Sequence, residues 1–352
     1  MLTSRERCYR AVRREDVDLI PINLWIDSPE PLNSLLNRLN ISDKEKLLKN
    51  LKIDFRGFLP GISGLGIGLK GGYKEETYLD SNGRRLHKDM FGVVSATSLD
   101  GLTSMYIDNP LRHIEVEKYK FPEIKEEDFS YVEKFRKKYE DYCVIGGTLQ
   151  SFETACALFG YNEIFTLMIK EPKKVEFVLD KLFEITYKQA ELLVEADVDQ
   201  VYNGDDVGAQ TTMLIAPAHW RKFLKPRYEK LAKIIHSGGA FFHFHSDGWI
   251  EPIISDLIEL GVDVLEPIQP EAMNIKKLKE KFGDKISFEG GISVQRLPFK
   301  SKEEIKREVK EAIEILGPTG YTLRPSHTIL RGTPIENIVT LYEAADKFRK
   351  KY

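Results

Sequence analysis

Apolar positions divide the chain into two stretches with different rhythms. From residue 141 onward, short apolar runs at 142–146, 200–203, 240–245, 262–266, 286–289 and 321–323 read as strands. Helical periodicity fills the intervals at 173–195, 217–236, 249–259, 274–281, 301–315 and 334–350. Strands alternating with amphipathic helices predict parallel βαβ units. Strands that are apolar on both faces predict a sheet covered on both sides. The first 140 residues are less regular. An opening helix is predicted over 3–14, with Thr3 or Ser4 as N-cap and Glu6 in its first turn. Pro29 opens a second helix, and residues 73–97 alternate about Ser81-Asn82-Gly83 as a hairpin does. Two further strands, at 19–24 and 53–58, bring the total to eight. The predicted fold class is therefore α/β, a (β/α)8 TIM barrel rather than an open doubly wound sheet. No Gly, Ser or Pro linker divides the chain, so one domain over 1–352 is expected, irregular over 1–140 and regular over 141–352.

Composition narrows the function classes. The net charge of −3 makes no case for nucleic acid, which calls for a basic surplus on one face. Basic runs such as Arg136-Lys137-Lys138 read as solvated helix faces. Cys8, Cys143 and Cys156 stand in no CxxC pair, so neither a thiolate zinc site nor a disulfide framework is suggested. Residues 1–16 are charged throughout and lack the apolar core of a signal peptide. No apolar run approaches a membrane span. A cytoplasmic protein with no membrane partner is expected. The glycines of 61–72 make a loop, but no Gly-Lys-Ser/Thr follows to mark phosphate binding.

Functional groups of such barrels stand where strands end, and the strand ends here are polar. Gln200 to Gly204, which includes Tyr202, runs into Asp205-Asp206, and the strand through His243 and His245 runs into Asp247 and Trp249. The next ends carry Glu266, Glu289 and then Arg324-Pro325-Ser326-His327. A stable barrel needs none of this. Each member also has a plainer reading. Asp206 or Asp247 can cap a helix, and Glu266 and Glu289 can accept from loop N–H groups. His243 and His245 share one strand face, opposite Phe242 and Phe244. His245 is the active-site choice because it lies nearer the strand end, with His243 deeper in the core. His219 and His236 fall on helical stretches, and His87 and His113 in the irregular part. His245, Asp247 and His327 together make a ligand set for a divalent cation, zinc or non-haem iron.

Several segments carry a family resemblance: Thr3 to Arg7 through Pro21, Asp89 to Gly92, Asp205 to Gln210, Pro217 to Trp220, His245 to Gly248, Glu289 to Gly291, Pro325 to His327 and Pro334 to Asn337. Over nearly its whole length the chain resembles the uroporphyrinogen decarboxylase superfamily of TIM-barrel enzymes. True uroporphyrinogen decarboxylases carry an arginine-rich segment near the N-terminus that grips the substrate's propionates. Residues 21–28 stand there without an arginine, and a substrate with many carboxylates needs several fixed cations. The chain is more similar to the corrinoid-dependent methyltransferase branch, which holds zinc with a His-x-Cys pair and a later Cys. The match puts His245 on the His, with Asp247 and His327 in place of the two thiolates. Such a harder ligand set points from thiols towards oxygen donors.

The resemblance implies a zinc-dependent methyltransferase. It would demethylate a methoxylated, aromatic compound and pass the methyl group to a corrinoid (cobalamin) carried by a partner protein. Within that reading His245, Asp247 and His327 hold the metal, and Asp205, Glu289 and Asp247 are the catalytic candidates. Tyr202, Trp249, Asp206 and Glu266 line the substrate, with Phe242 and Phe244 available to pack a ring. A homodimer is compatible with the family. Rival readings are a metal-free decarboxylase on a smaller substrate, a methylcorrinoid:folate or pterin methyltransferase, and a non-catalytic barrel that binds a corrinoid or tetrapyrrole.

Overall fold

Short apolar runs, six of them followed by a helix, settle into a curled parallel sheet of seven strands. A computed structural model describes residues 1–26, 28–58, 69–97 and 104–350. The strands are β1 (Phe55–Phe58), β2 (Cys143–Gly147), β3 (Gln200–Gly204), β4 (Phe241–His245), β5 (Val264–Ile268), β6 (Ser287–Ile292) and β7 (Tyr321–Pro325). They lie side by side in chain order, as consecutive βαβ units demand. β2, β3, β5, β6 and β7 are buried at every position, the signature of a parallel sheet covered by helices. His245 is in register with Gly204 on one side and Glu266 on the other.

The apolar run at 19–24 forms isolated bridges rather than a strand. Pro21 has no N–H to give to a ladder. Its carbonyl accepts from Leu323, the Asn23 N–H donates to the Leu323 carbonyl, and the Ile22 carbonyl accepts from Asp54 just before β1. The segment thus hydrogen-bonds to β7 and to the approach to β1. At the N-terminal ends of the strands, carboxylates tie neighbours together. Asp54, Asp199 and Asp263 accept the N–H groups of Ile22, Val144 and Phe242.

The predicted helices appear with shifts at their ends. Ser4–Val12 begins with a full capping box between Thr3 and Glu6, and Lys302–Leu316 with one between Ser301 and Glu304. The stretch predicted as one helix over 217–236 breaks into Pro217–Phe223 and Lys225–Ser237. Pro226 has no N–H to continue the first helix. The predicted hairpin pairs Glu76–Leu79 with Arg85–Lys88 and continues into a four-stranded antiparallel sheet. Of the glycine-rich loop at 61–72, residues 61–68 lie outside the described residues. Leu69–Gly71 pairs with Pro122–Ile124.

Phe242 and Phe244, considered above as substrate-packing residues, are core. Both are fully buried on the outer face of β4, where Tyr228 of helix Lys225–Ser237 packs edge-on against Phe244 at 5.2 Å. Each contributes about 1.5–3 kcal/mol by leaving water. Among the described residues, no helix is long and apolar enough to cross a membrane.

Candidate metal centre

Two loops at the C-terminal strand ends form the site, and glycines let them meet. An added Cβ at Gly204, the last residue of β3, would lie 1.9 Å from the His245 carbonyl oxygen, and one at Gly208 would lie 2.5 Å from that of Asp247. With no side chain at either position the loop after β3 lies flat on the loop after β4. Asp247 N–H donates to Asp206 Oδ1 at 2.7 Å, Val207 N–H to Ser246 Oγ at 3.2 Å, and Trp249 N–H to the Ala209 carbonyl at 2.8 Å.

This lacing brings Asp206, His245 and Asp247 together, with one potential ligand atom from each within 4.8 Å of the others. His245 Nε2 lies 3.4 Å from Asp206 Oδ1. Its other nitrogen, Nδ1, meets Glu266 Oε2 at 2.6 Å. With Nδ1 bonded to Glu266, Nε2 faces the two aspartates, the arrangement by which a carboxylate orients a metal-binding imidazole. Asp247 Oδ1 is buried without a hydrogen-bond partner. An imidazole, two carboxylates and a buried unmet acceptor fit a divalent cation with oxygen and nitrogen ligands.

The electrostatics agree with a site shaped for a cation. Burial alone would lower the His245 pKa, but Glu266 and Asp206 outweigh it and hold it well above the usual value. Burial likewise opposes charge on Glu266, and Arg324 with His245 still brings it down to about 2. Burial raises Asp247 to about 6. Glu153 is pushed up to about 8 by burial and by the neighbouring Asp206 and Asp205, and its Oε1 accepts the Asp206 N–H.

The other predicted residues fall as follows. His327, expected as a ligand, stands at the rim with Nε2 3.8 Å from Asp247 Oδ2 and its side chain 42% exposed. It lies outside the group of three, and Asp206, expected on the substrate, lies inside it. Asp205, expected as catalytic, is fully buried. One of its oxygens accepts from Glu153 N–H and the other from Tyr228 OH, so it fastens a helix start rather than facing His245. Glu266, expected on the substrate, is instead buried behind His245. Glu289 lies farther round the sheet, bonded to Asn23 and Arg324 and raised by burial to about 7. Tyr202 lies beside both histidines, its ring 5.4 Å from that of His245. Trp249 is partly buried against the core. His243 is fully buried, with Nδ1 on Gln200, and burial lowers its pKa to about 3.

Sequence reasoning passed over Glu153, Trp25 and Asn23, and named Arg324 as part of a polar strand end without giving it a role. Glu153 follows β2 as the other candidates follow their strands, so the same strand-end rule reaches it. Trp25 and Asn23 belong to an irregular segment and gave no comparable signal.

The family model described as uroporphyrinogen decarboxylase (URO-D) matches residues 99–348. The uroporphyrinogen decarboxylase of Sulfurimonas denitrificans is 24% identical over 202 residues, 54% of this chain and 53% of that protein. That of Trichodesmium erythraeum is 24% identical over 189 residues, 53% of this chain and 51% of that protein. The chain spans about half the length of the curated relatives it matches. A solved methyltransferase from Methanosarcina mazei has the same fold, with a TM-score of 0.68 over 99% of both chains at 21% identity.

Proposed function

The chain belongs to the uroporphyrinogen decarboxylase family, and from that premise we propose that it is a metal-dependent methyltransferase. In this reading it removes the methyl group of a methoxylated, aromatic compound and delivers it to a corrinoid on a partner protein. The observation that carries the reading is His245, held at Nδ1 by Glu266 with Nε2 turned to Asp206 and Asp247. Likeness of fold to a methyltransferase supports it, as does the lack of arginine over residues 21–28. We also infer that 1–352 is one domain whose seven-stranded sheet closes as a barrel, with the bridging segment 19–24 in the place of an eighth strand. In support, residues 21–23 hydrogen-bond to both β7 and Asp54, and Trp25 meets Tyr202 of β3 edge-on at 5.0 Å.

His245, Asp206 and Asp247 would hold zinc, with His327 joining from the rim. When bound, the cation supplies Lewis-acid stabilisation of the charge left on the donor's oxygen. The protein's own residues do the rest. Glu266 keeps the imidazole aimed, and Asp206 is held by the Asp247 N–H. The faces of Tyr202 and Trp249 pack the apolar part of the donor.

A carboxy-lyase acting on a smaller substrate is the second reading, favoured by the curated relatives' names and by Asp205 and Glu289. Burial raises both to about 7, so either can hold a proton near neutrality. Metal content by inductively coupled plasma mass spectrometry separates the two. The methyltransferase reading expects about one zinc per chain in the wild type and none in folded His245→Ala, followed by transfer from methoxyarenes to reduced cobalamin. Wild-type protein that holds no zinc after soaking refutes it and leaves the lyase.

A further inference from the structure

Behind the candidate ligands runs a belt of buried polar and aromatic side chains. Arg324, on β7, is 1% exposed. Its Nη1 lies 2.8 Å from Glu266 Oε1 and 3.3 Å from Glu289 Oε1. Its guanidinium carbon sits 3.8 Å from the centre of the Trp25 ring, and its Nε–H donates to the Pro325 carbonyl. Asn23 Nδ2 donates to Glu289 Oε1 at 2.9 Å. Glu266 therefore has its two oxygens divided, with Oε1 beside Arg324 and Oε2 on His245 Nδ1.

A buried cation set between two carboxylates is a poor way to gain stability. Apolar side chains of similar volume often serve as well or better. What the arrangement does supply is direction. Glu266 has a flexible side chain, and a point charge would let its carboxylate swing. A planar guanidinium, stacked on an indole and bonded at Nε, cannot follow such a swing. Oε1 stands 2.8 Å from that guanidinium as an ion pair, with no hydrogen-bond partner among the described residues, and this attraction leaves Oε2 on the side of His245.

We propose that Arg324 is a positioning residue for the metal centre. Through Glu266 it fixes the His245 ring so that Nε2 faces Asp206 and Asp247. Trp25 and Glu289 hold the guanidinium in place. The proposal rests on the metal reading above and adds to it a residue that touches neither metal nor substrate.

The test uses zinc affinity, measured by calorimetric titration of the metal-free full-length chain, for wild type, Arg324→Lys, Glu266→Gln and the double variant. Thermal melts show which variants are folded, and Arg324→Lys keeps the buried charge so that loss of the planar fork is tested without removing the cation. Loss of an outer-shell partner weakens metal binding about 10- to 100-fold. Both single variants are expected in that range, and the double variant no weaker than the weaker single one, because both act through one ion pair. The 15N resonance of His245 Nδ1 should shift in Arg324→Lys before any zinc is added. A merely structural arginine would lower the melting temperature and leave both zinc affinity and that resonance alone. Zinc affinity within about twofold of wild type in folded Arg324→Lys, or losses that simply add in the double variant, overturns the positioning role. If His245→Ala abolishes zinc binding in that same experiment, the metal reading survives alone. Wild type that binds no zinc overturns both.

Discussion

Gly204 ends β3 opposite His245, and a methyl group on it has nowhere to go. Its Cβ would stand 1.9 Å from the His245 carbonyl oxygen and 2.5 Å from the His245 nitrogen. Ordinary contact begins at about 3.5 Å, so the two strand ends must part by roughly 1.5 Å. Both opposing atoms are backbone, so no side-chain rotation relieves the clash. Gly204→Ala should therefore cost about 1–3 kcal/mol of stability, as overpacking does, with roughly 2–4 °C of melting temperature per kcal/mol. The larger effect is local. Metal–ligand distances tolerate about 0.2 Å, and His245 would move several times that against Asp206 and Asp247. A folded Gly204→Ala protein should bind zinc more than about tenfold less tightly, the loss expected when ligand geometry is disturbed. Gly57→Ala, in β1 of the same sheet, is the control, because its nearest neighbour, the Ile145 carbonyl oxygen, lies at an ordinary 3.8 Å. That variant should keep its zinc and melt at or slightly above the wild type. Thermal melts and zinc titrations of the two metal-free proteins decide the matter. Gly204→Ala with wild-type melting and wild-type zinc affinity would show that the close approach of β3 to β4 does not place His245.

Three further outcomes follow from the same geometry. Tyr228→Phe removes a 2.5 Å hydrogen bond to fully buried Asp205 and should cost about 1–3 kcal/mol in urea unfolding. Zinc stoichiometry should not change, and a loss of zinc would show that Asp205 supports the metal centre rather than only fastening a helix start. Glu289 carries a folded-state pKa raised by burial to about 7, so between pH ~4.5 and ~7 the native state binds the proton that the unfolded chain has lost. Stability of the metal-free protein should therefore fall as pH rises through that window, and Glu289→Gln should flatten the slope of urea midpoint against pH. An unchanged slope would mean that Glu289 ionises normally. Free zinc at about 100 times its dissociation constant should add about 2.7 kcal/mol of stability. A chelator should reverse that gain, and His245→Ala should show none of it.

Much of the fold was legible because burial on two faces writes itself into a strand as an unbroken apolar run. The six runs after residue 141 reappear as β2 to β7 with ends moved by a few residues. Where that signal is absent, reading fails for identifiable reasons. Helix Ser151–Phe159 has eight buried residues among its nine, so it shows no polar face and no periodicity to detect. Periodicity runs unbroken across Leu224, while Pro226 ends one helix and permits the next at its first turn. The run at 19–24 has strand composition, but Pro21 removes one of the N–H groups a ladder would use. Only isolated bridges result.

The site was legible as a place and less so as a set of partners. Alternation along β4 sends His243 and His245 to one face and the two phenylalanines to the other, which is local geometry. Whether His327 or Asp206 stands closer to His245 depends on how two loops fold over glycines, and linear order holds no such distance. Aspartate itself is the plainest case. Asp54, Asp199 and Asp263 stand at strand starts and accept neighbouring N–H groups at 3.0, 2.7 and 2.7 Å. Asp206 and Asp247 stand at strand ends on the same kind of residue. Asp206 accepts one N–H through Oδ1, and its carboxylate also faces His245. Asp247 keeps a buried oxygen with no donor at all. A buried acceptor left unmet costs about 1–3 kcal/mol, and no strand end needs that for its own stability. A cation shared with His245 would supply the missing partner, so what sets Asp247 apart from the aspartates at the strand starts is an unmet oxygen beside an imidazole, which only the folded chain displays.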